Sequence, residues 1–375
     1  MAPIANKKFR VLVVDDSTFM RKVLETIFSA DDQLQVVGQA KDGREAVALA
    51  ESLKPDVITM DINMPHVDGL QATAEIMTTN PRPIVIVSSE SREGAASTLR
   101  ALELGAIDFV AKPSGAIDLD MGSVKDDLLR KVRMAAKVRV VRTASRLAST
   151  IQNASGKPSP KAAPVPDRPA ASSGLDQRFP VVVLAASTGG PATVMRLAPG
   201  FTRDFPAAVI LVQHMPAAFT TQYATQLAEF TGIRVKEAEA NESLQPGILY
   251  ICPGGQHLRV TPTGRIQLDS TSGRINGYLP SIDATMETVA SFAGAMSIGA
   301  VLTGMGNDGA LGAKAIKTAG GLVLAQDEAT SVIFGMPAEA IKAGAVDHVL
   351  GIDDIYPAIE KRVLSICKAT PVGAR

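Results

Sequence analysis

Along the first 137 residues, short apolar runs that end in polar residues alternate with amphipathic stretches. RVLVVDD (10–16), DVITMD (56–61), PIVIVSS (83–89) and IDFVAKP (107–113) read as strands buried on both faces, and LQVVGQA (34–40) supplies a fifth. Between them FMRKVLETIFSA and GREAVALAESL have helical spacing, and SVKDDLLRKVRMAAKV reads as a closing helix. Strands separated by helices in this way predict a doubly wound parallel sheet. After Phe179 the alternation resumes in VVVLAAS, AAVILVQH, ILYICPG, HLRVTP, SIGAVLTG and GLVLAQD, predicting a second doubly wound α/β domain over 179–375. No sequence repeat relates the two halves.

The stretch between them follows neither pattern. KPSPKAAPVPDRPAASSG is dense in Pro, Ala and Ser, so 138–178 reads as a tether joining a domain over 1–137 to the second one. Its basic residues (Arg139, Arg142, Arg146, Lys157, Lys161, Arg168) outnumber Asp167 and Asp176. A solvated linker explains that excess; a docking segment for an acidic partner is the sharper alternative.

Composition narrows the classes. The 375 residues suffice for two cores, and 46% hydrophobic with 20% charged residues is ordinary for a globular protein. Lys plus Arg (38) equals Asp plus Glu (38), which leaves no chain-wide footprint for nucleic acid. Cys252 and Cys367 stand far apart without CxxC spacing, against a disulfide framework or zinc site and in keeping with a reducing compartment. Asp15 and Asp16 interrupt the first apolar run, which therefore reads as a core strand and not a secretion signal. With no run near the ~18 apolar residues that span a bilayer, the expectation is a soluble, cytoplasmic protein without direct membrane insertion.

Ligands of parallel sheets collect outside the carboxyl ends of the strands, where strand order reverses. In the first domain those ends carry Asp15 and Asp16, then Asp61, Ser88 and Lys112. Converging carboxylates repel unless a divalent cation neutralises them, and hard oxygen ligands suit Mg²⁺. A lysine and a hydroxyl nearby would meet phosphoryl oxygens, and a carboxylate such as Asp61 is able to form an acyl phosphate. Each residue alone is a common polar strand end; all of them in this order are not.

VLVVDDSTFMR, TMDINMP, VSS and AKP together resemble the receiver domain of response regulators, with a flavodoxin-like five-stranded parallel sheet, from Arg10 to about Lys137. The resemblance implies that Asp61 accepts phosphate from a histidine kinase. It implies that Asp16, Asp61 and the Asn63 carbonyl hold Mg²⁺, with Asp15 acting through water. Ser88 and Lys112 would bind the phosphoryl oxygens, and Phe109 occupies the place of the family's switch aromatic.

In the second domain, Ser187 of VVVLAASTGGP stands where a strand feeds a helix, and Thr188-Gly189-Gly190 offers backbone N–H groups at the helix start. The stretch is neither GxSxG nor GxGxxG. A serine nucleophile needs a base and an orienting acid. Among four histidines, His66 belongs to the first domain and His348, in AVDHVL, reads as structural near the end of a late strand. His214 ends an apolar run on the rim expected for Ser187; His257 opens another strand and stays open as a base. Asp308, Asp283 and Asp327 are the candidate acids, with Asp308 in the glycine-rich loop VLTGMGNDGA.

The ordered series ASTGGP, QHMPAAFT, CPGGQH, PSID, LTGMGNDGA and AQDEATSVIFGMP resembles the catalytic domain of the CheB family of chemotaxis protein-glutamate methylesterases, and receiver, linker and catalytic domain stand in that family's order. The resemblance implies Ser187 as nucleophile, His214 as general base and Asp308 as its partner, with Thr188 and Met305 lining the nucleophile and oxyanion region. No cofactor is implied for the esterase reaction. Ala185 stands where the family usually has glycine, where its methyl would tighten the turn, and DATME replaces a more apolar stretch after PSID. The function implied is a phosphorylation-activated serine hydrolase that demethylates glutamate γ-methyl esters, and deamidates glutamines, on methyl-accepting chemoreceptors. The alternatives are the same hydrolase serving a non-chemotaxis sensor and a non-catalytic scaffold; a DNA-binding output lacks a basic recognition helix.

Overall fold

Val11, Leu12, Val13 and Val14 point alternately to opposite faces of one strand, yet all four are buried, because helices cover both faces of their sheet. The structure, a computed structural model, describes residues 8–89, 91–112, 121–138 and 179–369. The tether expected over 138–178 lies outside the described residues from 139 onward. The first sheet has the order β2-β1-β3-β4-β5, all parallel: β1 Phe9–Val14, β2 Leu34–Ala40, β3 Val57–Met60, β4 Ile84–Ser88 and β5 Asp108–Ala111. This is the flavodoxin-like order, and its direction reverses between β1 and β3. The helices α1 (Thr18–Ser29), α2 (Gly43–Leu53), α3 (Gly69–Thr79) and α4 (Arg92–Glu103) start at Ser17, Asp42, Asp68 and Ser91, whose side chains accept a backbone N–H three residues on. Helix α5 spans Met121–Ala135. A Cβ on Gly69 would lie 2.0 Å from the Asp61 carbonyl oxygen, so α3 begins in direct contact with the loop that carries Asp61.

The second sheet is parallel throughout, in the order β14-β13-β12-β6-β7-β9-β8. Its strands are β6 Val181–Ala186, β7 Ala208–Gln213, β8 Arg234–Glu237, β9 Ile248–Ile251, β12 Ser297–Val301, β13 Leu322–Gln326 and β14 His348–Leu350. β10 (His257–Val260) and β11 (Ile266–Asp269) form a separate antiparallel hairpin. Edge strand β8, RVKE, has no apolar run and is invisible to hydrophobic patterning. His348, expected near the end of a strand, instead opens β14 and is exposed. The chain passes from β6 to β7 on one side and pairs β6 with β12 on the other, so the switch point lies at the end of β6.

The two domains touch. Helix α4 packs on the helices Gly190–Leu197 and Ala217–Leu227, and one apolar cluster runs from Ile86, Leu102 and Phe109 to Val194, Phe219 and Ala224. The Phe109 and Phe219 rings lie 4.3 Å apart at 37°. Cys252 and Cys367 are both free. Among the described residues, no helix is long and apolar enough to cross a membrane.

Candidate active site

Ser187 is the first residue beyond β6, at the switch point, and the two glycines after it are forced by space. Gly189 has φ +76°, and a Cβ there would lie 2.5 Å from the Val332 side chain; one on Gly190 would lie 2.1 Å from Gln213 Oε1. The Ser187 N–H donates to the Thr303 carbonyl (3.1 Å), and Gln213 Nε2 donates to the carbonyls of Ser187 (2.9 Å) and His214 (3.2 Å). Adjacent β7 then delivers His214, with Nδ1 3.1 Å from Ser187 Oγ and Nε2 2.8 Å from Asp308 Oδ2. An ionised Asp308 accepts only, so Nε2 carries the hydrogen and Nδ1 faces the serine as an acceptor. The chymotrypsin arrangement uses the two ring nitrogens the other way round.

Asp308 comes from the loop after β12 and is 2% exposed. Burial pushes its pKa up, but the bond and charge of His214 and the N–H groups of Asp283 and Ile282 outweigh it, and the net direction is downward. It is also the N-terminal anion of the helix Ile282–Ala293: Oδ2 accepts from Ile282 N (2.8 Å), and Oδ1 accepts from Asp283 N (2.9 Å) and Ser281 Oγ (3.3 Å). Asp283 returns the arrangement, its Oδ1 accepting from Gly309 N (2.9 Å) and Gly312 N (2.7 Å) at the start of the helix Ala310–Thr318. Each carboxylate thus caps the other's helix, and two helices lock the loop that presents Asp308.

Burial, with Asp308 repulsion added, raises Asp283 to about 6 against its two N–H bonds. Between about pH 4 and 6 the folded protein therefore keeps a proton that the unfolded chain releases, so stability from this group falls as pH rises. Asp283→Asn keeps an acceptor without the charge. Its stability relative to the parent protein should rise by about 1.5 kcal/mol from pH 5 to pH 7.5, read from denaturant midpoints. A constant difference would mean that Asp283 is ionised throughout.

Of the other expected residues, some adjoin this chain of three and some do not. Thr188 is 4% exposed, and Met305 follows Gly304, where a Cβ would lie 2.8 Å from Ser187 Cβ. The Gly190 N–H, one of the three expected to be free, is taken by the Ser187 carbonyl at 2.8 Å; those of Thr188 and Gly189 have no acceptor among the described residues. His257 is not brought to Ser187: Nδ1 accepts from Ser281 N (3.0 Å) and Nε2 donates to the Gly273 carbonyl (2.7 Å). Asp327 closes a local turn onto Thr330. Ala185 lies within β6, not in the turn, and its methyl is buried in the core, so it does not tighten the turn.

At the first sheet's carboxyl ends, oxygens of Asp15, Asp16 and Asp61 lie within 4.8 Å of one another. Lys112 Nζ stands 2.9 Å from Asp15 Oδ2 and 2.8 Å from Asp61 Oδ2. Burial raises the Asp61 pKa, with Lys112 opposing and Asp15 reinforcing the shift. Burial also works against the Lys112 charge, but its two carboxylate partners prevail and raise its pKa. The Lys112 ammonium is the cationic partner of Asp15 Oδ2 and Asp61 Oδ2, and the three carboxylates, with oxygens within 4.8 Å of one another, form a hard donor set that fits a divalent ion. Ser88 closes β4 and is 2% exposed, its carbonyl bonded to the Lys112 N–H at 2.8 Å, and Asn63 lies exposed in the loop after β3.

Sequence reasoning missed the residues that join the two sites. Thr188 Oγ1, beside Ser187, donates to Asp108 Oδ2 of the first domain at 2.6 Å. Lys131 Nζ lies 3.3 Å from Asp108 Oδ1 and donates to the Phe109 carbonyl at 2.7 Å. Gln226 Nε2 bonds Glu103 at the end of α4. So covered, Ser187 is 6% exposed. Gln213 carried a weak signal as a polar residue ending an apolar run; Asp108, also polar at a strand start, carried none that pointed across to Thr188.

Residues 11–121 match the response regulator receiver domain family, and residues 182–359 match the family described as CheB methylesterase. A protein-glutamate methylesterase/protein-glutamine glutaminase of Pyrococcus horikoshii is 42% identical over 366 residues, covering 96% of this chain and 95% of that protein. One of the same name from Symbiobacterium thermophilum is 41% identical over 366 residues, covering 97% and 99%. The crystal structure of the Thermotoga maritima CheB methylesterase catalytic domain, 37% identical, superposes with a TM-score of 0.47 over 49% of this chain and 98% of that one.

Proposed function

Because the chain belongs to the CheB family of protein-glutamate methylesterase/protein-glutamine glutaminases, we propose that it hydrolyses glutamyl γ-methyl esters, and glutamine amides, on methyl-accepting chemoreceptors under control of its receiver. The observation that carries this is the chain Ser187–His214–Asp308, with contacts of 3.1 and 2.8 Å, on three strand ends around one switch point. His214 Nδ1 takes the Ser187 proton as Oγ attacks the ester carbonyl, and Asp308 holds the ring and balances the imidazolium. The Thr188 and Gly189 N–H groups at the helix start are the donors for the oxyanion. The imidazolium proton goes to the methoxy oxygen and methanol leaves. Water, giving its proton to His214, then adds to the acyl carbon, and His214 returns that proton to Ser187 Oγ as the glutamate leaves. With a glutamine side chain the leaving group is ammonia. Methanol release from methylated receptor membranes tests the reading; neither methanol nor ammonia from folded, phosphodonor-treated protein would sink it.

Asp61 is the phosphate acceptor, served by a histidine kinase of the chemotaxis type. Asp15, Asp16, Asp61 and the Asn63 carbonyl would hold Mg²⁺, which when bound screens the charge of the carboxylates and the phosphate. Lys112 and Ser88 meet the phosphoryl oxygens. Lys112 now bridges Asp15 and Asp61, so a phosphate on Asp61 rearranges that pairing next to β4 and β5. Those strands carry α4 and Phe109 against the esterase cleft, and loss of that packing exposes Ser187. Gln226→Glu, nearly isosteric, sets a carboxylate against Glu103 and should raise phosphate-independent hydrolysis several-fold. Unchanged basal hydrolysis would show that this contact does not hold the domains together.

A further inference from the structure

Tyr278 stands outside the proton-transfer chain, yet its ring lies flat on the base: the His214 and Tyr278 centroids are 4.8 Å apart and the planes differ by 14°. The bonds at Nδ1 and Nε2 fix where the two nitrogens point but leave the imidazole free to rock about the line joining them. An aromatic face stacked on the ring removes that freedom.

The segment that carries Tyr278 is itself tied to the acid. Ile275 and Tyr278 close it by exchanging backbone hydrogen bonds of 3.0 and 2.9 Å. Buried His257 grips both ends, donating to the Gly273 carbonyl at 2.7 Å and accepting from Ser281 N at 3.0 Å. Ser281 Oγ then donates to Asp308 Oδ1 at 3.3 Å. At its far end the tyrosine lies over the loop that delivers Asp308: a Cβ on Gly306 would sit 1.9 Å from Tyr278 Oη, and Gly306 has φ +91°. Base, acid and tyrosine are therefore placed by one set of anchors. A π face against imidazole gains most when the ring is charged, which happens only after Ser187 gives up its proton. Stabilisation confined to that stage accelerates the reaction without tightening substrate binding.

We propose that Tyr278 is a positioning residue for the Ser187–His214 pair, holding the imidazole plane and favouring its protonated form during acyl transfer. The proposal rests on the hydrolase reading above. It is tested in the full-length protein with Mg²⁺ and a small-molecule phosphodonor, comparing the parent, Tyr278→Phe, Tyr278→Leu and Ser187→Ala. The readouts are steady-state methanol release, the rate at which a fluorophosphonate labels Ser187, and the melting temperature. Tyr278→Phe keeps the ring and should match the parent within about twofold. Tyr278→Leu should lower kcat about tenfold at unchanged KM and slow labelling by a similar factor, with the melting temperature held within a few degrees. Parental kcat and labelling in Tyr278→Leu would overturn the proposal, as would a loss confined to KM or an equal loss in Tyr278→Phe. A parent protein that neither releases methanol nor labels at Ser187 overturns the hydrolase reading itself, and the proposal with it.

Discussion

Replacing Ser187 with alanine should lower methanol and ammonia release by about 10⁴-fold or more, since loss of the nucleophile leaves only what the oxyanion donors and binding supply. The change is small in volume and should leave the fold intact. Ser187 Oγ has His214 as its hydrogen-bond partner, while the backbone bonds to Thr303 and Gln213 that set the turn do not involve the side chain. His214→Ala should cost a similar factor, and the double variant little more, because the two act as a unit. Asp308→Asn is expected to cost about 10³- to 10⁴-fold by presenting the wrong imidazole tautomer to the serine. Asp308→Ala is a poorer probe, because it also strips the N-terminus of the helix Ile282–Ala293. Methanol release by Ser187→Ala at the parental rate would remove the serine from the mechanism.

Asp61→Ala should abolish the response to a phosphodonor. In the parent protein that response is expected on the order of ten- to a hundredfold, the span available when a site nearly closed at rest becomes mostly open. The resting coverage has a structural basis: Phe109 packs against Phe219 with the rings tilted, Thr188 bonds Asp108, and Ser187 is 6% exposed. Basal hydrolysis should survive in Asp61→Ala, since the residue belongs to the other domain and none of its bonds reaches the cleft. An Asp61→Ala protein that still responds fully would place the phosphate elsewhere; loss of basal activity as well would point to damage to the receiver's packing. Joint measurement of both rates separates these outcomes.

The two sheets were legible because their strands are buried on both faces and so read as unbroken apolar runs, VVVLAA and AVILVQ among them. Strand β8 was not, because an edge strand half open to water needs no apolar run. Ser187, His214 and Asp308 were nominated as residues that follow such runs, but spacing alone left His257 open beside His214. What separates them is sheet membership: β7 lies next to β6 in the parallel sheet, whereas β10 belongs to the separate hairpin. Asp283 looked like a rival acid, and only the three-dimensional crossing of two helix starts shows that it holds the loop of Asp308. The contact of Asp108 with Thr188 joins positions 80 residues apart and leaves no periodic trace in either segment.

That contact has a consequence for how information flows. Thr188 adjoins Ser187 and at the same time donates to the strand that carries Phe109. Two equilibria that share one contact are thermodynamically reciprocal: on the proposed function, the factor by which undocking of the receiver favours binding at the cleft is the factor by which a ligand in the cleft favours the undocked receiver. On that reading, a substrate segment in the cleft is an effector of the regulatory domain as well as a target of the site beside it. A protein with its cleft filled would rest in the open arrangement more often than one with the cleft empty, so that the substrate itself enriches the accessible form where it is used.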